Sequence, residues 1–372
     1  MVRVISHDDV VAAAERIAGH VLRTPTLPSP GLSAHLRAPV TVKLELLQRT
    51  GSFKPRGAFA KLLGLSDAER AAGVVAVSGG NHGVAVADTA GSLGIAATVV
   101  MPSSAPARSV AACRASGAEV RLTDDIAGAF ALLDELVAEG RTLVHPFDDA
   151  LVVAAQGTVG LEFAEDAPAV TDVLVSIGGG ALISGVATAM PGVRVWGVET
   201  EGADAMSRAL AAGAPVPTAP TSIASTLSAP YVSALTLEHV SALVEEVLVV
   251  SDADAVRGSL VLAEEAKVWA EPAAGCLVPA ALRVLDRVGP DAHLGLVVCG
   301  GNVTAEQVQG WTARFSATPF PPRTPVTAAP RPRRPRGRRC PRWRSRRRPR
   351  CGTPAAGSGR TGPSRWRSRS GA

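Results

Sequence analysis

Lys54 stands in the stretch TGSFKPRGA, residues 50–58, between Phe53 and Pro55. A lysine held in an apolar wall can lose its proton and act as a nucleophile or a base, whereas the commoner surface lysine does neither. Three further stretches set polar groups beside glycine turns. SIGGGALISGVA (176–187) places Gly178, Gly179 and Gly180 between an apolar run and a helical pattern. Backbone can approach an anion closely there, and the free N–H groups of a first helical turn can bind it. No GK[ST] follows and the pattern is not GxGxxG, so a single phosphate suits it better than ATP or a dinucleotide; a turn used only for packing reads the same way. SGGNHG (78–83) sets Ser78, Asn81 and His82 at another helix start, a place for a carboxylate or oxyanion. Ser78 and Asn81 are equally good helix caps, and His82 reads equally as a structural histidine. VVCGGN (297–302) carries Cys299, which also reads as a small buried hydrophobe and has no histidine beside it to activate it.

The elements that must position these residues alternate. Ser6 and Asp9 form a capping-box pattern for a helix through about residue 20. A proline-punctuated extended segment (22–30) leads to a strand at 40–47, the Lys54 corner, and a helix ending near Gly64. Strands at 74–77, 97–102, 118–122 and 142–145 are separated by helical patterns, the last from Asp124 to about Glu139. Strands at 172–177, 193–199, 245–250 and 294–302 continue the rhythm, with Asp252 capping a helix to about residue 270 and residues 304–315 closing the body. This spacing predicts a parallel α/β architecture. Ligands in such sheets sit beyond the carboxyl ends of the strands, so the glycine turns are expected to converge on one cleft.

With 372 residues there is room for two domains or one large α/β unit. Hydrophobic residues are 47% and aromatics only 3%, so the core must be built from Ala, Val and Leu. No apolar run reaches the roughly 18 residues of a membrane span, and the opening MVRVISHDD is not a leader peptide. The five cysteines (Cys113, Cys276, Cys299, Cys340, Cys351) are odd in number and make no CxxC pair. That composition points to a reducing, cytoplasmic setting and away from a disulfide or zinc framework. The net charge of +5 is misleading: residues 321–372 hold 17 of the 38 basic residues and no acid, which leaves 21 basic against 33 acidic elsewhere, a net of −12. From about residue 318 the chain turns to Arg, Pro, Ser and Gly, too polar to bury a core. It reads as a basic arm for nucleic acid or acidic membrane, as a disordered tail, or as an out-of-frame extension; no specific nucleic acid is expected.

Taken in order, TGSFKPRGA, SGGNHG, HPFDDALVVAAQGTVGLE (145–162), GGGAL (178–182), EPAAG (271–275) and CGGN (299–302) resemble the threonine/serine dehydratase family. These are pyridoxal 5'-phosphate enzymes of fold type II, the tryptophan-synthase-β-like fold. The likeness spans residues 1 to about 315. It implies an α/β fold of two domains, each a mostly parallel open sheet flanked by helices. Residues 1–50 plus 146–315 would form the large cofactor-binding domain, 51–145 a small mobile domain, and 316–372 a disordered tail. The resemblance makes Lys54 the covalent cofactor lysine and the base at Cα. It places Phe53 and Ser52 beside the ring and the substrate, Asn81 on the cofactor's phenolic oxygen, and Gly178, Gly179, Gly180, Ala181 and Leu182 around the phosphate. Cys299 would face the pyridine nitrogen, Glu271 the ring edge, and Ser78, Asn81 and His82 the substrate carboxylate, with Ser78 also catalytic.

The reaction so implied is loss of water from L-threonine or L-serine, giving a 2-oxo acid and ammonia. The alternatives are another β-hydroxy or β-substituted amino acid, as in hydroxyaspartate or phenylserine dehydratases, β-replacement, or weak racemisation. The partner is a small amino acid, no membrane is implied, and a homodimer is the family habit. The segment 221–230 is expected to line the substrate pocket. Two departures stand out. Serine racemases of the family carry a second serine where this chain has Gly79. Metal-dependent members use an acidic pair after the strand ending at Glu199, whereas the later position here is Ala205 beside Asp204, so no metal ligand is assigned. With only an arginine-rich stretch after the body, feedback inhibition of the isoleucine type is not expected.

Overall fold

Short apolar runs without polar alternation become strands covered on both faces. In the computed structural model, which describes residues 4–324, the strands are β1 (Thr26–Pro28), β2 (Val40–Lys43), β3 (Val74–Val77), β4 (Ala97–Pro102), β5 (Glu119–Thr123), β6 (Thr142–Leu143), β7 (Asp172–Ser176), β8 (Arg194–Thr200), β9 (Glu246–Val250) and β10 (Leu294–Val297), of which the central ones, such as β3, β7 and β10, are of this kind. They form a six-stranded sheet in the order β1-β2-β10-β7-β8-β9 and a four-stranded sheet in the order β5-β4-β3-β6. Only the β1–β2 pair is antiparallel. Register sets Leu296 of β10 between Val42 and Leu174, so β10 and β7 end side by side.

The core is aliphatic, as the composition requires: the largest cluster surrounds the six-stranded sheet, and a second, with Val74, Ala76, Val99 and Met101, supports the four-stranded one. At the open edge, β5 exposes Glu119 and Arg121, charges that discourage pairing with another chain.

Several boundaries differ from expectation. The strand expected over 40–47 stops at Lys43 and gives way to a 3-10 turn, Glu45–Leu47, because Lys43 and Glu45 turn inward to a buried ion cluster. The first helix keeps its Ser6–Asp9 capping box but ends at Ile17. Ser251, not Asp252, caps the helix Asp252–Glu265; its hydroxyl accepts from Asp254 N–H, while Asp252 accepts from Ser222 and Ile223. Helices Pro30–Leu36 and Ala150–Asp166 form in stretches to which no element was assigned. The body also continues past residue 316. Phe320 packs against the core under Arg257 at 4.1 Å, and Arg323 donates to Asp286 at 2.7 Å. The remainder of the expected tail lies outside the described residues.

Candidate active site

Lys54 begins the helix Pro55–Leu63, with Pro55 at the first helical position where its missing N–H costs nothing. Backbone bonds hold the preceding turn to the end of β10. Phe53 N–H donates to Cys299 O at 3.1 Å, Gly301 N–H to Gly51 O at 3.0 Å, and Ser52 bridges Gly300. Asn302 Nδ2 adds a bond to Thr50 O at 2.7 Å. Among the described residues nothing hydrogen-bonds or ion-pairs with Lys54 Nζ; the Phe53 ring lies 5.0 Å from it. Burial lowers the Lys54 amine to about 8, against the raising influence of Cys299 and Glu271.

Behind the corner lies a cluster that sequence reasoning missed. Arg56 is fully buried and donates to Glu45 through Nε (2.9 Å) and Nη2 (2.8 Å), and through Nη1 to Glu162 (2.7 Å) and Thr158 (3.0 Å). Lys43 Nζ donates to Glu162 at 2.6 Å and to Thr24 O at 2.8 Å. Two cations and two carboxylates balance, which is how buried charge is tolerated. The available signal was Arg56 two residues after Lys54, in a first helical turn otherwise of proline, glycine and alanine.

The glycine turn follows β7. Gly180, at φ +94°, caps the helix Ala181–Ala189 in a left-handed conformation that disfavours a side chain. A Cβ on Gly179 would lie 2.0 Å from Phe147 Cδ1, so that ring packs directly against the turn. The N–H groups of Ala181, Leu182 and Ile183 have no acceptor among the described residues, as the first turn of a helix requires. Beside the turn, Ser176 Oγ is 3.4 Å from Cys299 Sγ, and burial pushes the Cys299 thiol up to about 12, so it is neutral.

Ser78 follows β3 directly, and its Oγ accepts from Gly80 N–H at 3.2 Å. Asn81 Nδ2 donates to Glu271 Oε1 at 3.0 Å, and Asn302 Nδ2 donates to Asn81 Oδ1 at 2.8 Å. His82 is the structural histidine of the two readings: its Nε2 bonds Val144 O at 2.8 Å, and burial lowers it to about 3. What His82 offers an anion is its N–H, which, like those of Asn81 and Gly83, has no acceptor among the described residues. The 221–230 segment lies over both loops, with Leu227 Cα 3.3 Å from a Cβ on Gly178 and Thr226 Cγ2 3.8 Å from one on Gly80. Glu199 accepts from Met206 N–H (2.8 Å), Ser207 N–H (2.9 Å) and Ser207 Oγ (2.6 Å), so it anchors the helix Ala205–Ala212.

Burial pushes the Glu271 carboxyl up to about 7, opposed by hydrogen bonds from Asn81 and Thr226 and by Lys54. Its ordinary value is 4.5. Between these pH values the native state therefore binds more protons than the unfolded chain, and this contribution to stability is lost as pH rises from 4.5 to 7. His82 works in the opposite direction, because its pKa falls on folding. The difference between Glu271→Gln and wild type isolates the carboxyl. In urea unfolding of the apoprotein, the variant should gain on wild type by up to about 3 kcal/mol across that range. Parallel stability–pH curves would show that Glu271 does not titrate this way.

These residues fit pyridoxal phosphate. The amine of Lys54 is unpaired, Ser52 Oγ is fully buried without a partner among the described residues, the glycine turn offers free N–H groups for one phosphate, and the neutral thiol beside it suits an unprotonated ring nitrogen. Comparison with known proteins agrees. A family model described as "Pyridoxal-phosphate dependent enzyme" matches residues 17–300. L-threonine dehydratase catabolic TdcB of Escherichia coli (strain K12) is 39% identical over 323 residues, covering 84% of this chain and 98% of that protein. Phenylserine dehydratase of Ralstonia pickettii is 42% identical over 272 residues, covering 72% and 83%. Among solved structures, maize serine racemase matches with a TM-score of 0.78 at 33% identity, over 84% of this chain and 98% of that one. The chain therefore belongs to the pyridoxal-phosphate dependent enzymes, in the fold type II family of threonine and serine dehydratases.

Proposed function

We propose that this enzyme removes water from β-hydroxy α-amino acids, L-threonine and L-serine first, releasing a 2-oxo acid and ammonia. The observation that carries this reading is the unpaired Lys54 amine, lowered to about 8, on a corner bonded to Cys299. Bound pyridoxal phosphate supplies the electron acceptor for the pair left at Cα. Lys54 Nζ takes the Cα proton, for which a pKa near the working pH is the useful one. The N–H groups of Asn81 and His82, with Ser78, hold the substrate carboxylate at the helix start. Phe53 and Ser52 would border the ring, Asn81 its phenolic oxygen and Glu271 the ring edge, and Gly178, Gly179, Gly180, Ala181 and Leu182 would hold the phosphate. The neutral thiol of Cys299 would be the partner of the ring nitrogen, which would favour elimination over reactions that need a longer-lived negative charge. In this reading residues 51–145 move as a small domain against 1–50 plus 146–315, the enzyme is a cytoplasmic homodimer, and it uses neither a metal nor nucleic acid.

The test is 2-oxo acid release from L-threonine, L-serine and L-phenylserine by the holoenzyme. Phenylserine is included because the relative at 42% identity is named for it. Release from none of the three would overturn the reading. Racemisation separates this chain from its structural neighbour named as a serine racemase. Gly79 has no proton to give the second face of Cα, and a Cβ there would sit 2.9 Å from Ala105 Cβ. Losing one acid–base group costs about a hundredfold or more. D-serine should therefore form at least about a hundredfold more slowly than pyruvate, as chiral chromatography of a timed reaction can show; comparable rates would remove Gly79 from the account.

A further inference from the structure

One polar group beside the site has a proton that its neighbours do not use. His145 follows β6, and its Nδ1 accepts from Asp148 N–H at 2.7 Å and from Phe147 N–H at 3.3 Å. An imidazole nitrogen that accepts carries no proton, so the proton of the neutral ring is on Nε2. Burial lowers the pKa of His145, with the Lys54 charge lowering it further and Asp148 and Asp149 opposing, so the ring is neutral near pH 7. Nε2 lies 3.3 Å from Tyr231 Oη and therefore donates to it. The phenol's own proton has no acceptor among the described residues.

The location is specific. Tyr231 directly follows the 221–230 segment that lies over Gly80 and Gly178, and its ring meets Phe147 edge-on at 5.5 Å. Phe147 is the ring pressed against Gly179. Half-buried Tyr231 thus stands one ring from the glycine turn through Phe147, and its partner His145 adjoins Val144, whose carbonyl accepts from His82 after the Ser78 loop; its phenol is neutral because burial and Asp148 raise its pKa.

We propose that Tyr231 is a specificity-determining residue whose phenol, oriented by His145, donates a hydrogen bond to the β-hydroxyl oxygen of the substrate. The proposal rests on the elimination reading above and narrows it to uncharged β-hydroxy amino acids. A β-carboxylate at this point would carry the same charge as Asp148, whose field already reaches the phenol. A phenol placed for a substrate hydroxyl gives preference to substrates that accept the bond over those that do not.

The experiment compares L-serine, L-threonine and β-chloro-L-alanine, whose chloride is a poor hydrogen-bond acceptor, with wild-type and Tyr231→Phe holoenzyme. kcat/KM for the two hydroxy substrates should fall about tenfold in the variant, and the fall for β-chloro-L-alanine should be several-fold smaller. An equal fall for all three, or no fall, overturns the proposal while leaving elimination standing. Wild type inactive on L-serine, L-threonine and L-phenylserine alike removes the elimination reading, and this proposal with it. A second measurement needs no turnover. Tyr231 is the only tyrosine in the chain, so phenolate absorbance in an alkaline titration reports on it alone. In His145→Ser the hydroxyl can still accept the two N–H groups but cannot reach the phenol. Without the imidazole donor the phenolate should form at higher pH than in wild type; an unchanged titration overturns the tautomer on which the proposal stands.

Discussion

Lys54→Met releases 2-oxo acid at least about ten-thousandfold more slowly than wild type, yet its apoprotein is the more stable of the two. The first effect follows from removing both the amine that links the cofactor and the base at Cα, each a large factor in covalent and acid–base catalysis. Visible absorbance of linked cofactor should vanish with it. The second effect follows from burial. Lys54 falls from an ordinary 10.5 to about 8 on folding, chiefly because its surroundings desolvate the ammonium. Below pH 8 the native state holds that cation at a cost; between 8 and 10.5 the unfolded chain binds more protons, so wild-type stability rises with pH there. Methionine has the length of lysine without the charge. At pH 7 the variant apoprotein should be more stable by about 1–3 kcal/mol, an advantage that shrinks as pH climbs through 8 to 10.5. Urea unfolding of both apoproteins at pH 7 and pH 10 measures it. A variant less stable than wild type at pH 7 would mean that Lys54 is solvated in the free protein and that its lowered pKa is not the basis of its reactivity.

The legible parts of this chain are those where local pattern and environment agree. VVAV is apolar throughout and ATVVMP apart from Thr98, because both of their faces are covered, and β3 and β4 have the bounds read from the pattern. VKLELL misleads because its alternation places Lys43 and Glu45 where an exposed face is expected, yet both side chains are fully buried, Lys43 against Glu162 at 119 positions' remove and Glu45 against Arg56 beyond the Lys54 corner. The helix Ala150–Asp166 carries no amphipathic stripe to find, since ten of its residues are buried around nearly its whole circumference. Of the site, the turns were legible: glycines beside Ser78, Cys299 and Ser176 mark places where backbone must come close to something. The connections between them were not. Asn81 meets Glu271 across 190 positions and His145 meets Tyr231 across 86, and neither pairing leaves a local trace.

The same invisibility applies to the cluster around Arg56, which carries the largest expected effect on stability. Burial alone would lower the pKa of Arg56; Glu45 and Glu162 outweigh it and raise the value instead. Lys43 goes the other way: burial lowers it despite Glu162. The pair of cations is therefore unequal, and Arg56 holds both carboxylates with four of its hydrogen bonds. Arg56→Met leaves two carboxylates facing one lysine, with Glu45 and Lys43 fully buried, a loss of about 3–5 kcal/mol for a broken buried ion network. Because Arg56 lies two residues beyond Lys54 on the same helix, the surviving folded enzyme should also lose about a hundredfold in kcat through misplacement of the amine. Arg56→Lys keeps the charge but not the fork that spans Glu45 and Glu162. It should recover part of the stability and less of kcat. Thermal unfolding and steady-state rates on both variants decide the matter. If Arg56→Met costs under about 1 kcal/mol, the network is solvated and contributes as little as a surface ion pair. If it lowers stability but leaves kcat intact, Arg56 supports the helix Pro55–Leu63 without positioning Lys54.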